Sequence, residues 1–110
     1  MNADNEIRAS EQASRAFAVS VFSKLGVPEE EAGTWADVMV EASVRGVDSH
    51  GILVLPMYAA MLEAGGIRLH ASLEIVADHG PMLLLDGGHG IGPVIATRAM
   101  DLALEPANLV

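Results

Sequence analysis

Glycine and proline residues divide this apolar sequence into short segments, and this division constrains the fold more than any other feature. Apolar residues make up 51% of the 110 residues, enough to exclude a chain that is disordered on compositional grounds. Gly26, Gly46 and the pair Gly65-Gly66 each follow a stretch with helical spacing of apolar residues. Glycine accepts the left-handed conformation in which helices often end. The sequence therefore predicts three helices before residue 67.

Each predicted helix has a start signal and one apolar face. Ser10 supplies an oxygen that can cap the first helix, and Pro28, followed by three glutamates, opens the second. Asp48 or Ser49 can cap the third, but Pro56 predicts a kink, or a short first turn followed by a new helix. The predicted inward residues are Ala13, Ala16, Phe17, Ser20, Val21 and Lys24 in the first helix; Ala32, Trp35, Ala36, Met39 and Ser43 in the second; and Ile52, Leu55, Tyr58, Ala59 and Leu62 in the third.

Beyond residue 66 the spacing of apolar residues becomes alternating, which is typical of strands. Residues 72–77 alternate, and residues 82–85 form an apolar run consistent with a buried strand. The segment His79-Gly80-Pro81 between them has turn composition. Pro93 starts a last helix that should end near Leu104, since Pro106 cannot continue it. Its candidate core residues are Ile95, Ala99, Leu102 and Ala103.

The predicted fold class is α+β, with N-terminal helices followed by a short two-strand segment and a further helix. The 110 residues are enough for one modest core, so we expect a single domain. Within it, residues 1–9 form a flexible tail, residues 10–66 the helical part, and residues 67–110 the strands and last helix.

Charge and composition disfavour several classes of function. Fifteen acidic residues against six basic ones give a net charge of −9, which disfavours binding to nucleic acids and to anionic membranes. The absence of cysteine excludes disulfides and thiolate chemistry and fits a cytoplasmic location. The N-terminus carries Asp4 and Glu6 and does not resemble a signal peptide. No two histidines have metal-ligand spacing, so no metal site is predicted.

Polar side chains concentrate between the second and third helices, in residues 45–51. His50 is a candidate proton donor or acceptor because imidazole titrates near neutrality, and Ser49 could orient it or touch a substrate oxygen. Arg45 could pair with a carboxylate, and Gly51 would let a ligand approach the backbone closely. A structural interpretation stays open, because a serine before a helix is usually a cap and the helix dipole accounts for Arg45.

A glycine-rich stretch over residues 87–92 follows a predicted strand and precedes a predicted helix. This context is typical of dinucleotide-binding loops. The pattern G-x-G-x-x-G is not matched, however, since Pro93 stands where the third glycine belongs. The stretch therefore favours a turn and a helix start.

The motif Arg45-Gly-Val-Asp-Ser-His-Gly-Ile52, followed by Leu55-Pro56 and Tyr58, resembles the signature of the malate/L-lactate dehydrogenase family, which lacks a Rossmann fold. Further matches follow in order at Gly65-Gly66-Ile67, Leu85-Asp86-Gly87, Gly90-Ile91-Gly92 and Ala99-Met100, so the resemblance covers about residues 8–104. It implies hydride transfer between NAD or NADP and a small 2-oxo or 2-hydroxy acid of the malate/lactate type. It also implies a homodimer.

The resemblance assigns roles to the residues of the motif. It implies that His50 donates the proton to the substrate and that Ser49 belongs to a relay with an aspartate further along the chain. Many members carry an arginine four residues after the histidine, where it can hold the substrate carboxylate, but this sequence has Val54. Family enzymes are several hundred residues long, so the resemblance implies a truncated part of the fold that is inactive alone.

Two other functions compete with this prediction. The chain could be a non-catalytic remnant or protein-interaction module, whose exposed apolar faces would drive association. It could also be an independent helical binding domain that shares the motif, which predicts a compact monomer. The apparent size in solution separates these two alternatives.

Overall fold

The computed structural model describes residues 7–107, which form α-helices and one β-hairpin. The elements are α1 (Glu11–Lys24), α2 (Glu29–Val44), α3 (Leu55–Ala64), β1 (Glu74–Asp78), β2 (Leu83–Asp86) and α4 (Gly92–Ala107). This order confirms the predicted α+β class. Residues 1–6 of the predicted tail lie outside the described residues. No helix within residues 7–107 is long and apolar enough to cross a membrane.

The two ends of α1 are fixed by the signals that the sequence predicts. At the start, Ala13 N–H donates a hydrogen bond of 3.0 Å to Ser10 Oγ, which caps the helix. At the end, Gly26 has a φ of +91°, and the next residue, Val27, donates its N–H to the carbonyl of Phe22 at 3.0 Å. This left-handed glycine turns the chain sharply, so that α2 packs back against α1.

The core lies between α1 and α2 and is completed by α3 and the start of α4. Trp35 stacks on Phe22 with ring centroids 4.0 Å apart and contacts Tyr58 of α3 at 5.2 Å. The buried residues of this cluster are Ala18, Phe22, Val27, Ala32, Trp35, Ala36, Met39, Leu55, Ile91 and Val94. The predicted inward face of α2 is confirmed in all its apolar members. One aromatic stack therefore holds the three N-terminal helices together.

The predicted inward face of α1 is wrong. Ala18 and Phe22 are buried, whereas the predicted Phe17 is 62% exposed. Both sets have helical spacing, because apolar residues occur on most sides of α1, and the stack between Phe22 and Trp35 decides which set faces inward. A pattern in one helix does not show which partner its neighbour offers.

The last helix also differs from its prediction. Ile91 and Val94 enter the core, while the predicted Ala103 is exposed. The helix continues to Ala107 and includes position 106, so the predicted end near Leu104 is wrong. A proline in the last turn removes only one backbone donor, which a helix end tolerates.

The hairpin is antiparallel and far more exposed than the sequence predicts. Its register runs from Glu74 opposite Asp86 to Asp78 opposite Leu83. The predicted turn is confirmed, because both aspartates accept a hydrogen bond from the backbone N–H two residues later. Leu84, however, is 59% exposed. The prediction of a buried strand is wrong, because the hairpin stands off from α4 across an open groove.

Candidate functional site

The turn that carries Ser49 and His50 begins at a well-defined helix end. Gly46 has a φ of +78°, and its N–H donates to the carbonyl of Ser43 at 3.0 Å. Val47 N–H donates to the carbonyl of Ala42 at 2.8 Å, which completes the hydrogen-bond pattern of a glycine-terminated helix. The chain then forms two short 3₁₀ turns over 48–50 and 52–54. These turns confirm the predicted short turn before α3.

A hydrogen bond from α2 holds this turn in place. Ser43 Oγ accepts a bond of 2.8 Å from Ile52 N–H. Gly51 is buried beside it, and a Cβ at position 51 would lie 2.1 Å from Ser43 Oγ. Only glycine fits this contact without displacing Ser43. Sequence reasoning placed Ser43 on the inward face of α2 but missed its bond to the turn, since no local pattern pairs residues eight or nine positions apart.

Ser49 and His50 form a side-chain pair. Ser49 Oγ lies 2.9 Å from His50 Nδ1, and both residues are exposed. The predicted capping role of Asp48 or Ser49 is wrong, because the cap position of α3 is Val54 and no side-chain bond caps either 3₁₀ turn. The hydroxyl of Ser49 is bonded to the imidazole instead. The simplest structural explanation for this serine is thereby removed.

The bond to Ser49 distinguishes the two ring nitrogens of His50. With Nδ1 engaged, Nε2 is the nitrogen that can meet a ligand. When Nδ1 carries a hydrogen, it donates to Ser49 Oγ, and Nε2 can then gain or lose a proton without rearrangement of the ring. The pair is therefore suited to proton transfer at Nε2.

The two residues predicted to bind substrate have other partners in the structure. Arg45 Nε donates to Glu41 Oε1 at 2.7 Å, one turn earlier on α2, and both side chains are exposed. Gly51 packs against Ser43. Val54 is half-buried against the core, so position 54 offers no cation to a carboxylate. A role of Arg45 and Gly51 in substrate binding stays a prediction.

Apolar side chains surround the Ser49–His50 pair in sequence. Val44 and Val47 precede it, Leu53 and Met57 follow it, and all four are exposed. A reacting carbonyl needs a site from which bulk water is excluded. The exposed pair and its apolar neighbours therefore supply one wall of a reaction site.

The glycine-rich turn before α4 does not form a phosphate cradle. A Cβ on Gly87 would lie 2.8 Å from Ile95, and one on Gly90 would lie 2.8 Å from Ala71. These glycines serve close packing within the chain, as the mismatch with the dinucleotide pattern predicts. The described residues do not fit a complete dinucleotide site, and residues 7–107 contain no group of three or more histidine, aspartate or glutamate side chains arranged to hold a metal ion.

Comparisons with known proteins identify relatives for nearly the whole chain. The chain is 39% identical over 105 residues to the malate dehydrogenase of Pyrococcus horikoshii, covering 96% of this chain and 29% of that protein. It is 39% identical over 92 residues to the L-sulfolactate dehydrogenase of Methanocaldococcus jannaschii, covering 84% of this chain and 27% of that protein. The chain thus spans less than a third of the length of these relatives.

Solved structures and a family model agree with these relatives. The structure of the Pyrococcus horikoshii malate dehydrogenase matches with a TM-score of 0.91 at 38% identity, covering 98% of this chain and 31% of that one. Sulfolactate dehydrogenase from Methanocaldococcus jannaschii matches with a TM-score of 0.83 at 35% identity, covering 90% and 29%. The model of the malate/L-lactate dehydrogenase family matches residues 9–109. This chain therefore belongs to the malate/L-lactate dehydrogenase family.

Proposed function

We propose that this chain supplies the proton-transferring residues of an oxidoreductase that moves a hydride between NAD or NADP and a small 2-hydroxy acid of the malate/lactate type. The observation that carries the proposal is the 2.9 Å bond between Ser49 Oγ and His50 Nδ1. It occurs in a turn that Ser43 holds against α2, in a chain of the dehydrogenase family. Relatives that act on malate and sulfolactate, as their names state, support a small 2-hydroxy acid as the substrate.

His50 has a simple task in this reaction. When a 2-oxo acid is reduced, its carbonyl carbon receives a hydride and its oxygen must receive a proton. The imidazolium of His50 donates that proton from Nε2, and in the oxidation direction the neutral ring takes it back from the hydroxyl. The described residues form no site for the nicotinamide that supplies the hydride, so the contribution of this chain is the proton.

Ser49 acts by fixing the ring. Its Oγ accepts a hydrogen bond from Nδ1–H in both charge states of His50, so the same nitrogen faces the substrate before and after transfer. A fixed donor costs no reorientation at the moment of reaction. Ser49 is therefore a positioning residue for His50, and we place both at the catalytic corner.

Arg45 and Gly51 are proposed to bind the substrate. The exposed pair of Arg45 with Glu41 contributes only a few tenths of a kcal/mol, so an incoming carboxylate can replace Glu41 as its partner. Gly51 presents backbone without a side chain next to His50. These contacts would orient the acid while His50 reaches its oxygen.

Activity requires more of the fold than the matched segment. We propose that these 110 residues alone are inactive, because His50 lies exposed to solvent and no dinucleotide site forms among the described residues. The assembled enzyme would be a cytoplasmic homodimer. Neither nucleic acid nor membrane is proposed as a partner, in line with the net charge of −9.

Reconstitution tests the proposal. The chain is co-expressed with the part of the Pyrococcus horikoshii malate dehydrogenase that lies outside the matched segment, and oxidation of NADH and NADPH is followed with small 2-oxo acids. We expect turnover from the complex and none from either polypeptide alone. A stable complex that shows no turnover with any 2-oxo acid would reject the proposed chemistry.

A second function is favoured by the exposed apolar side chains of the hairpin, among them Met82 and Leu84. Such a surface suits a non-catalytic interaction module. This alternative predicts complex formation with no turnover and no effect of His50 substitutions. The reconstitution assay therefore separates the two functions directly.

A further inference from the structure

An apolar groove separates the hairpin from α4. Leu83 and Leu85 line its hairpin side, Ala99 and Met100 line its helix side, and its volume is about 410 Å³. No described side chain of the chain fills it. A groove with apolar walls on both sides is a site where another apolar surface can insert and remove them from water.

Around this groove the apolar surface continues in the open. The exposed side chains on the hairpin and α4 are Ile75, Val76, Met82, Leu84, Met100 and Leu104. The sheet contains only β1 and β2 within residues 7–107, so the outer edge of each strand has no strand partner there. A two-stranded hairpin is marginally stable alone, and an unpaired edge tends to acquire a partner. We call these six side chains and the groove the hairpin surface.

Charge at the hairpin surface disfavours a second copy of the chain as its occupant. Glu74, Asp78 and Asp86 lie on the hairpin, and Asp101 and Glu105 lie on α4. The cation of α4, Arg98, reaches across to Glu31 of α2 at 3.4 Å. Two copies meeting here would bring like charges together, whereas a partner with lysine or arginine around an apolar centre would be complementary.

We propose that the hairpin surface is the docking site for the part of a malate/L-lactate dehydrogenase that the relatives carry outside the matched segment. This chain covers 98% of its own length but only 31% of the Pyrococcus horikoshii structure, with a TM-score of 0.91. Because the segment superposes so closely, the surface that it offers to the remaining fold is already formed. This docking depends on membership in the family and not on the chemistry of His50.

Capture of the chain by that remaining part tests the docking. The Pyrococcus horikoshii polypeptide outside the matched segment carries an affinity tag, and the untagged chain is co-expressed and quantified in the eluate. Leu84→Glu and Met100→Glu each place a carboxylate on the hairpin surface. Phe17→Glu is the matched control, because Phe17 is equally exposed but lies on α1.

We expect equimolar capture of the wild-type chain and of Phe17→Glu, and at least about tenfold less of Leu84→Glu and Met100→Glu, since burying an unpaired charge is strongly unfavourable. Far-UV circular dichroism verifies that the variants fold. Failure to capture the wild-type chain, or equal capture of all four chains, would overturn the docking. A stoichiometric dimer of the chain alone that Leu84→Glu dissociates would assign the surface to a second copy and overturn it as well.

Capture and turnover fail independently. A captured complex without dehydrogenase activity rejects the role of His50 and leaves the docking in place. Loss of capture rejects the docking surface, and the chemistry of His50 is then tested in a chain fused to the remaining part of the relative.

Discussion

The helical region and the hairpin region contain similarly apolar sequences but reach opposite states of closure. Around α1, α2 and α3, Trp35 is buried between Phe22 and Tyr58, and the turn with His50 is clamped to the rim of this core. In the hairpin, Leu84 and Met82 remain exposed beside an open groove. The difference shows that apolar content alone does not close a core. Closure requires a facing layer, which the helices provide for one another and the hairpin lacks.

The largest expected effect is in the helical core. Trp35→Ala should reduce the free energy of unfolding by about 3–5 kcal/mol, because it removes the aromatic that joins three helices. Val76→Ala on the exposed hairpin should change it by less than about 0.5 kcal/mol. Urea unfolding followed by far-UV circular dichroism measures both. Similar losses for the two variants would remove the contrast between the regions.

A smaller effect is expected at the clamp beneath the catalytic corner. Gly51→Ala should cost about 1–3 kcal/mol, because its Cβ would lie 2.1 Å from Ser43 Oγ. Gly92→Ala is the matched control, since a Cβ there meets nothing within 4 Å. The shift in the urea midpoint compares them. Equal midpoints would show that the turn yields and is not clamped.

The serines of the site should rank in the opposite order from a capping prediction. Ser43→Ala should lower the free energy of unfolding by about 1 kcal/mol, because the partly buried Ile52 N–H loses its acceptor. Ser49→Ala should have no measurable effect, because Ser49 caps no helix. Amide exchange at Ile52 should accelerate only in the first variant. A larger loss for Ser49→Ala would restore a structural role to that hydroxyl.

The smallest effect on stability is expected at the hairpin surface. Leu84→Glu should change the free energy of unfolding by less than about 0.5 kcal/mol, since the side chain is 59% exposed and packs little in the chain itself. Chemical denaturation of the isolated chain gives the value. A loss above about 1 kcal/mol would indicate that this surface is already packed within the chain, contrary to the docking proposed for it.

Local signals in the sequence predicted the element order and most helix ends. Ser10 caps α1, Gly26 and Gly46 terminate α1 and α2, and Pro56 forces a short turn before α3, because each acts through its own backbone geometry. The inward side of α1 was not predictable, since it depends on the stack of Phe22 with Trp35, a contact between helices.

The site was predicted in identity but not in its supports. The motif located Ser49 and His50, which the structure joins at 2.9 Å. The bond from Ser43 and the present partner of Arg45 depend on how α2 meets the turn, and no spacing rule gives them. The exposure of β2 was missed for a related reason, because an apolar run does not reveal whether a facing layer exists.

The rate of the reconstituted enzyme with His50→Asn tests the central claim most directly. The turnover of 2-oxo acid reduction is compared with that of the complex carrying His89→Asn, a change at another exposed histidine, whose left-handed backbone asparagine accepts. The account predicts a loss of about 10²–10⁴-fold for His50→Asn and an unchanged rate for His89→Asn. Equal rates in the two complexes would contradict the assignment of His50 as the proton donor.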